Sequence, residues 1–115
     1  VVIFLLGVPL ASVIVFETLV AMSAMFHHSN VRLPAWLERP LSWIIVTPSI
    51  HWVHHHAIRA DTDSNYAALL SLWDRLFASR SPTVRTEDMP IGVEGLRDRD
   101  LPGLIGRPFG VRRRR

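Results

Sequence analysis

Apolar residues run almost unbroken from Val1 to Phe26 (VVIFLLGVPLASVIVFETLVAMSAMF), with Glu17 the one charge among them. A helix over residues 1–26 would be about 39 Å long against roughly 30 Å of bilayer hydrocarbon, long enough to cross with tilt or a kink at Pro9. A signal peptide would need a basic leading segment and a shorter apolar stretch, and neither is present; a buried core helix is the other reading. Beyond Phe26 the pattern becomes periodic. Asn30 and Pro34 mark a turn in HHSNVRLP, and AWLERPLSWIIV then places Trp36, Leu37, Leu41, Ile44 and Ile45 at helical spacing. Trp36 and Trp43 beside Arg32 and Arg39 fit a segment at the headgroup level, or an amphipathic helix packed on protein. After Pro48, SIHWVHHHAI resumes as helix, RADTDSN is a polar turn, and YAALLSLWDRLFAS carries Tyr66, Leu69, Leu70, Trp73 and Phe77 on one stripe of about three turns. The reading is all-α: a membrane helix, then interfacial and cytoplasmic amphipathic helices. Residues 81–115 are expected as an extended basic tail, docked through MPIGVEGL and LPGLIGRPF.

Charge gives this arrangement a direction. All thirteen basic residues are arginines, for a net charge of +3, and every one follows His28. The positive-inside tendency therefore places residues 27–115 on the cytoplasmic side. The arginines are interleaved with acids and no recognition motif accompanies them, so nucleic acid is set aside as a partner. With no cysteine in the chain, disulfides, thiolate metal sites and a cysteine nucleophile are excluded.

Four of the six histidines fall within HWVHHH, residues 51–56. On a helix, His51, His54 and His55 share an arc of about 100°, whereas His56 points about 100° further round. Neutral imidazoles converging in this H-x-x-H-H pattern suit iron, zinc, copper or nickel. His28 ends the apolar run, and Glu17 lies on its face about three turns earlier. An acid inside an apolar span is costly unless solvated, protonated or paired. Glu17 reads either as a polar group lining a substrate or water path, or as a protonated or hydrogen-bonded acid in a helix contact.

Four strings in order, HSNVRLP, TPSIHWVHHH, TDSNY and SLWDRLF, with IGVEGLRD behind them, resemble the second half of the sterol desaturase and fatty acid hydroxylase superfamily. These are integral-membrane, histidine-rich dimetal oxygenases. The resemblance covers residues 15–110 and implies that His28, His51, His54 and His55 are metal ligands, with His27 a further candidate and His56 not carried over. Asp63, Asn65 and Asp74 match positions around the site, where carboxylates and amides would orient ligating imidazoles; helix capping is the other role for Asp63. Trp73 matches too, and reads as packing.

The activity implied is O2-dependent hydroxylation or desaturation of a sterol or fatty acyl C–H bond at two iron ions, with zinc possible in isolated samples. A lipid substrate in the bilayer and an external electron carrier are implied as partners. The family's upstream H-x-x-x-H and second H-x-x-H-H are not in this sequence. Residues 1–80 are accordingly expected to be the C-terminal part of such a membrane domain, whose N-terminal half, with the remaining histidine motifs, lies elsewhere. The 115 residues alone are expected to bind metal weakly and to be inactive. A non-catalytic remnant is the alternative reading, and a metal-transport or sensor protein a more distant one.

Overall fold

The computed structural model describes residues 2–95 and 101–106. Its elements are all helical: α1 (Val2–Leu5), α2 (Leu10–His27), α3 (Ala35–Leu41), α4 (Pro48–His54), α5 (Arg59–Thr62), α6 (Leu72–Leu76) and α7 (Leu101–Gly106). No strand occurs among the described residues; one isolated bridge joins His56 to Ile91.

The apolar run does not form one helix. Gly7 takes a positive φ of 60°, which glycine adopts without a side-chain clash, and Pro9 holds φ −57° and ψ 137° at the N-cap of α2. The continuous span therefore breaks at the proline expected to kink it. What remains is 18 residues, about 27 Å of helix. It is long and apolar enough to cross a membrane, and only 11% of it is buried. Leu10, Ile14, Phe16, Met22 and Met25 stand exposed around it. A soluble core helix would bury such residues, and an amphipathic one would gather them on one side. At the other end α2 is tied into the fold, because Ser23 Oγ donates to the carbonyl of Ala68 at 2.9 Å.

The remaining chain packs on α4. Thr47 caps this helix, its hydroxyl accepting from the N–H of Ile50 at 3.4 Å, and Pro48 occupies the first turn, where a missing N–H costs nothing. Val46, Ile50 and Val53 on this segment, with Met89 from the tail, form the small buried core. The helix expected from Tyr66 starts only at Leu72, and the reason is local. The Asp74 carboxylate accepts the N–H of Tyr66 at 2.8 Å and of Ala67 at 3.0 Å. The main chain of Leu69 and Ser71 instead pairs with Val46 and Ile44. Three acceptor contacts, the third from Ser79 Oγ at 2.7 Å, outweigh the helical preference of the stripe, and Tyr66, Trp73 and Phe77 are left exposed. Replacing Asp74 with alanine should cost roughly 2–3 kcal/mol by stranding these donors, read as a lower midpoint in chemical denaturation.

The tail divides. Residues 89–92 do dock: Ala57 N–H donates to Pro90 O at 2.8 Å and Gly92 N–H to His55 O at 3.1 Å. Within the segment expected to be extended, Leu101–Gly106 forms α7, with Pro102 in the first turn, where a helix tolerates proline. Residues 107–109 of LPGLIGRPF and the terminal arginines lie outside the described residues.

Candidate metal centre

Two elements deliver the imidazoles. α2 ends with His27, capped by His28, and α4 supplies His51 and His54, with His55 as its cap. His51 is the hub. Its ring centroid stands 4.0 Å from His27, 4.3 Å from His28, 4.5 Å from His55 and 5.5 Å from His54. Its Nε2 lies 3.0 Å from His28 Nε2 and 2.9 Å from His55 Nε2. One nitrogen each from His27, His28 and His51 lie within 4.8 Å of one another.

Backbone carbonyls fix how two of these rings face. His28 Nδ1 lies 2.8 Å from Ala24 O, and His54 Nδ1 lies 2.7 Å from Ser64 O. A carbonyl only accepts, so Nδ1 carries the proton and the neutral ring presents its Nε2 lone pair. The His28 lone pair therefore points at His51 Nε2. A single proton on His51 would have to serve both His28 and His55, whereas one cation can accept a lone pair from every ring. Two nitrogens bound to one metal at about 2.1 Å and at right angles sit about 3.0 Å apart, the spacing found here. His27 and His51 each also keep a buried Nδ1 without a protein partner. The donor set fits a borderline transition metal such as iron or zinc.

The surroundings favour neutral rings. Burial, followed by the charges that His27, His55, His28 and His54 would bring, pushes His51 down to about 3; burial, His54 and His28 also lower His55. Unfolded histidine titrates near 6.5, so the unfolded chain binds more protons between these values. Their contribution to stability is full above pH 6.5 and is lost as pH falls towards about 3. Denaturation of the metal-free chain should thus give a lower midpoint at pH 5 than at pH 7.5, and a bound divalent cation should hold the pH 7.5 value higher still.

A pocket of about 130 Å3 opens among His27, His28, His51 and His55, walled by Trp52 and Ile91. Glu17 is exposed on α2 with no hydrogen bond or ion pair among the described residues. His56 turns away and is buried, its Nδ1 2.6 Å from Asp61 Oδ2. Asp63 touches no imidazole; its exposed carboxylate takes the Arg59 Nε–H at 2.9 Å. Asp74 holds the loop, as above. Asn65 sits one layer behind the rings. It adopts a φ of 50°, tolerated by asparagine, donates Nδ2–H to Ile50 O and accepts the Ser81 N–H. This fixes the turn that presents the Ser64 carbonyl to His54. The orienting acceptors are thus main-chain groups at Ala24 and Ser64, which carry no residue-type signature. Only the i, i−4 spacing of Ala24 from His28 on a helix hinted at one.

The fatty acid hydroxylase family model matches residues 1–79, and the chain belongs to that family. It is 28% identical to an ornithine lipid hydroxylase, OlsE, of Rhizobium tropici over 97% of its own length and 33% of that relative's. It is 51% identical to the alkylglycerol monooxygenase of Xenopus tropicalis, and 48% to the human one, over 37% and 35% of this chain. The chain spans about a third of the first relative and about a tenth of the other two. No solved structure matches it.

Proposed function

We propose that this chain is part of a membrane-bound, iron-dependent lipid oxygenase that uses O2 to hydroxylate or desaturate an acyl or sterol C–H bond. The observation that carries the reading is the meeting of His28, His51 and His55 Nε2 atoms at 2.9–3.0 Å. Family membership supports it, as do relatives named for hydroxylation of ornithine lipid and mono-oxygenation of alkylglycerol. Iron bound by imidazoles with positions left open supplies the O2 chemistry that an unactivated C–H bond requires. The protein's own part is placement. His28 and His54 keep their Nδ1 protons on carbonyls and so offer Nε2. Trp52 and Ile91 give the pocket an apolar wall, while His28 and His55 stay open to a ligand from outside. The foot of α2 lets a lipid chain approach from the apolar phase.

On this reading residues 1–80 form the metal-bearing membrane domain and 81–115 the basic tail, with residues 27–115 on the cytoplasmic face. Electrons come from an external carrier. The four rings lining one small pocket, from His27, His28, His51 and His55, suit one cation. The second iron would take its ligands from the remaining histidine motifs of the complete enzyme, and the 115 residues alone should bind metal without oxidising lipid. Two measurements test this. Purified chain loaded with ferrous iron should hold up to one ion per chain with nitrogen coordination by X-ray absorption; no retained iron, or oxygen-only coordination, would sink the metal centre. Lipid mass spectrometry of cells expressing only these residues should match the vector control, and oxidised lipid above it would overturn the single-cation reading.

A further inference from the structure

α4 borders a second, larger cavity. Ser49 and Ile50 face it, and it extends for about 490 Å3 between the start of α3 and residues 80–85. Four guanidiniums line it, from Arg32, Arg39, Arg80 and Arg85, against one carboxylate, Glu38. Glu38 Oε1 accepts the Thr47 hydroxyl, while its buried Oε2 has no hydrogen-bond partner. Arg32 pairs with Glu87, which is itself largely exposed. Arg85 spends its donors on neutral groups, Val31 O at 3.2 Å and Asn30 Oδ1 at 2.8 Å, and lies 4.0 Å over the ring of Trp52. Arg80 and Arg75 converge on one carbonyl, Ser42 O, at 3.2 and 3.1 Å. The Arg39 guanidinium has no hydrogen bond or ion pair among the described residues; its carbonyl accepts the Ser42 hydroxyl at 3.0 Å. Burial and Arg75 lower the Arg80 pKa, and burial and Arg32 lower that of Arg85.

Several cations thus surround a space with too little negative charge to balance them. Guanidinium forks match phosphate oxygens bidentately, and the volume lies in the range of small-ligand sites. α3, which forms one wall, exposes Trp36, and Trp43 just beyond it is also exposed; such aromatics favour the membrane–water interface. We propose that this cavity is a binding site for a phosphate oxyanion, presented by a lipid headgroup at the membrane face or by free phosphate. Trp52 links the two sites, since it carries the Arg85 guanidinium that lines the cavity and itself walls the imidazole pocket. A headgroup held here would therefore be anchored beside the histidines.

Calorimetric titration of the purified chain in neutral detergent tests this, with inorganic phosphate, dihexanoyl phosphatidic acid and dihexanoylglycerol as separate probes. Saturable binding of a phosphate-bearing probe and none of the neutral diacylglycerol is expected. Arg39→Gln and Arg32→Gln should each weaken it about tenfold. Arg59→Gln, outside the cavity, should leave it unchanged. Phosphatidic acid bound well above inorganic phosphate identifies a lipid headgroup, and equal affinity identifies the free anion; both support the site. No saturable binding, or an affinity unaltered by Arg39→Gln, would overturn it. The Arg39 guanidinium has no partner to lose, so the fold should survive its replacement, checked by circular dichroism. His51→Ala should retain phosphate binding, which separates this site from the metal centre.

Discussion

His51→Ala is expected to abolish the chain's weak metal binding, lowering affinity by more than about a hundredfold. Loss of an outer-shell partner alone typically costs 10–100-fold, and on the proposed reading His51 would be a direct ligand, its Nε2 meeting those of His28 and His55. The fold should tolerate the change. His51 gives up no hydrogen bond to a backbone group through its ring, its Nδ1 being unpartnered, and its removal relieves the crowding of imidazoles that burial already holds neutral. Competition against a chromophoric chelator reads the affinity and circular dichroism the fold. His56→Ala is the contrasting variant: it should keep the metal and lose stability, because its ring points to Asp61 rather than into the pocket. Wild-type affinity in His51→Ala would remove the hub from the metal centre.

The histidine arrangement was legible because it rests on helix arithmetic. Positions 51, 54 and 55 share an arc whatever the surroundings, and a change of direction after His55, where Ala57 N–H bonds to Pro90 O of the tail and the tail's Gly92 N–H to His55 O, sends His56 elsewhere. The approach of His28 to His51 was carried by resemblance rather than by spacing, since nothing local dictates how α2 meets α4. That meeting depends on contacts such as Ser23 to Ala68, made across 45 residues. Elsewhere periodicity overstated helix. The Tyr66–Phe77 stripe has correct spacing, yet a buried carboxylate at position 74 collects main-chain N–H groups from 66 and 67. One side chain that satisfies buried donors outweighs several tenths of a kcal/mol of helix propensity per residue. Likewise the break at Gly7–Pro9 follows from two residues visible in the sequence and is made locally: Gly7 closes α1 at positive φ with its N–H on Phe4 O, and Pro9 opens α2.

Asp61 shows where stability lies and which acid the sequence left unmarked. The TDSN string drew attention to Asp63, whose carboxylate is exposed, while Asp61 two residues earlier is buried. Its Oδ2 lies 2.6 Å from His56 Nδ1, and its Oδ1 accepts the hydroxyls of Ser81 and Thr83, each at 2.7 Å. Burial alone would raise the pKa of this carboxyl, but the donors from His56, Ser81 and Thr83 together lower it below 3.8. The folded state therefore favours the carboxylate, and its stabilising effect is present above about pH 3.8 and lost as pH falls through the folded value. Asp61→Ala should cost about 3 kcal/mol at neutral pH by leaving His56 and two hydroxyls without their acceptor. The loss propagates, because Ser81 and Thr83 begin the segment that returns to bridge His56 through Ile91, and Ile91 walls the imidazole pocket. Amide exchange at Ala57 and Gly92, whose N–H groups bond across that junction, should accelerate in Asp61→Ala and stay at the wild-type rate in Asp63→Ala. Equal protection in all three proteins would show that the tail is held by something other than the Asp61 carboxylate.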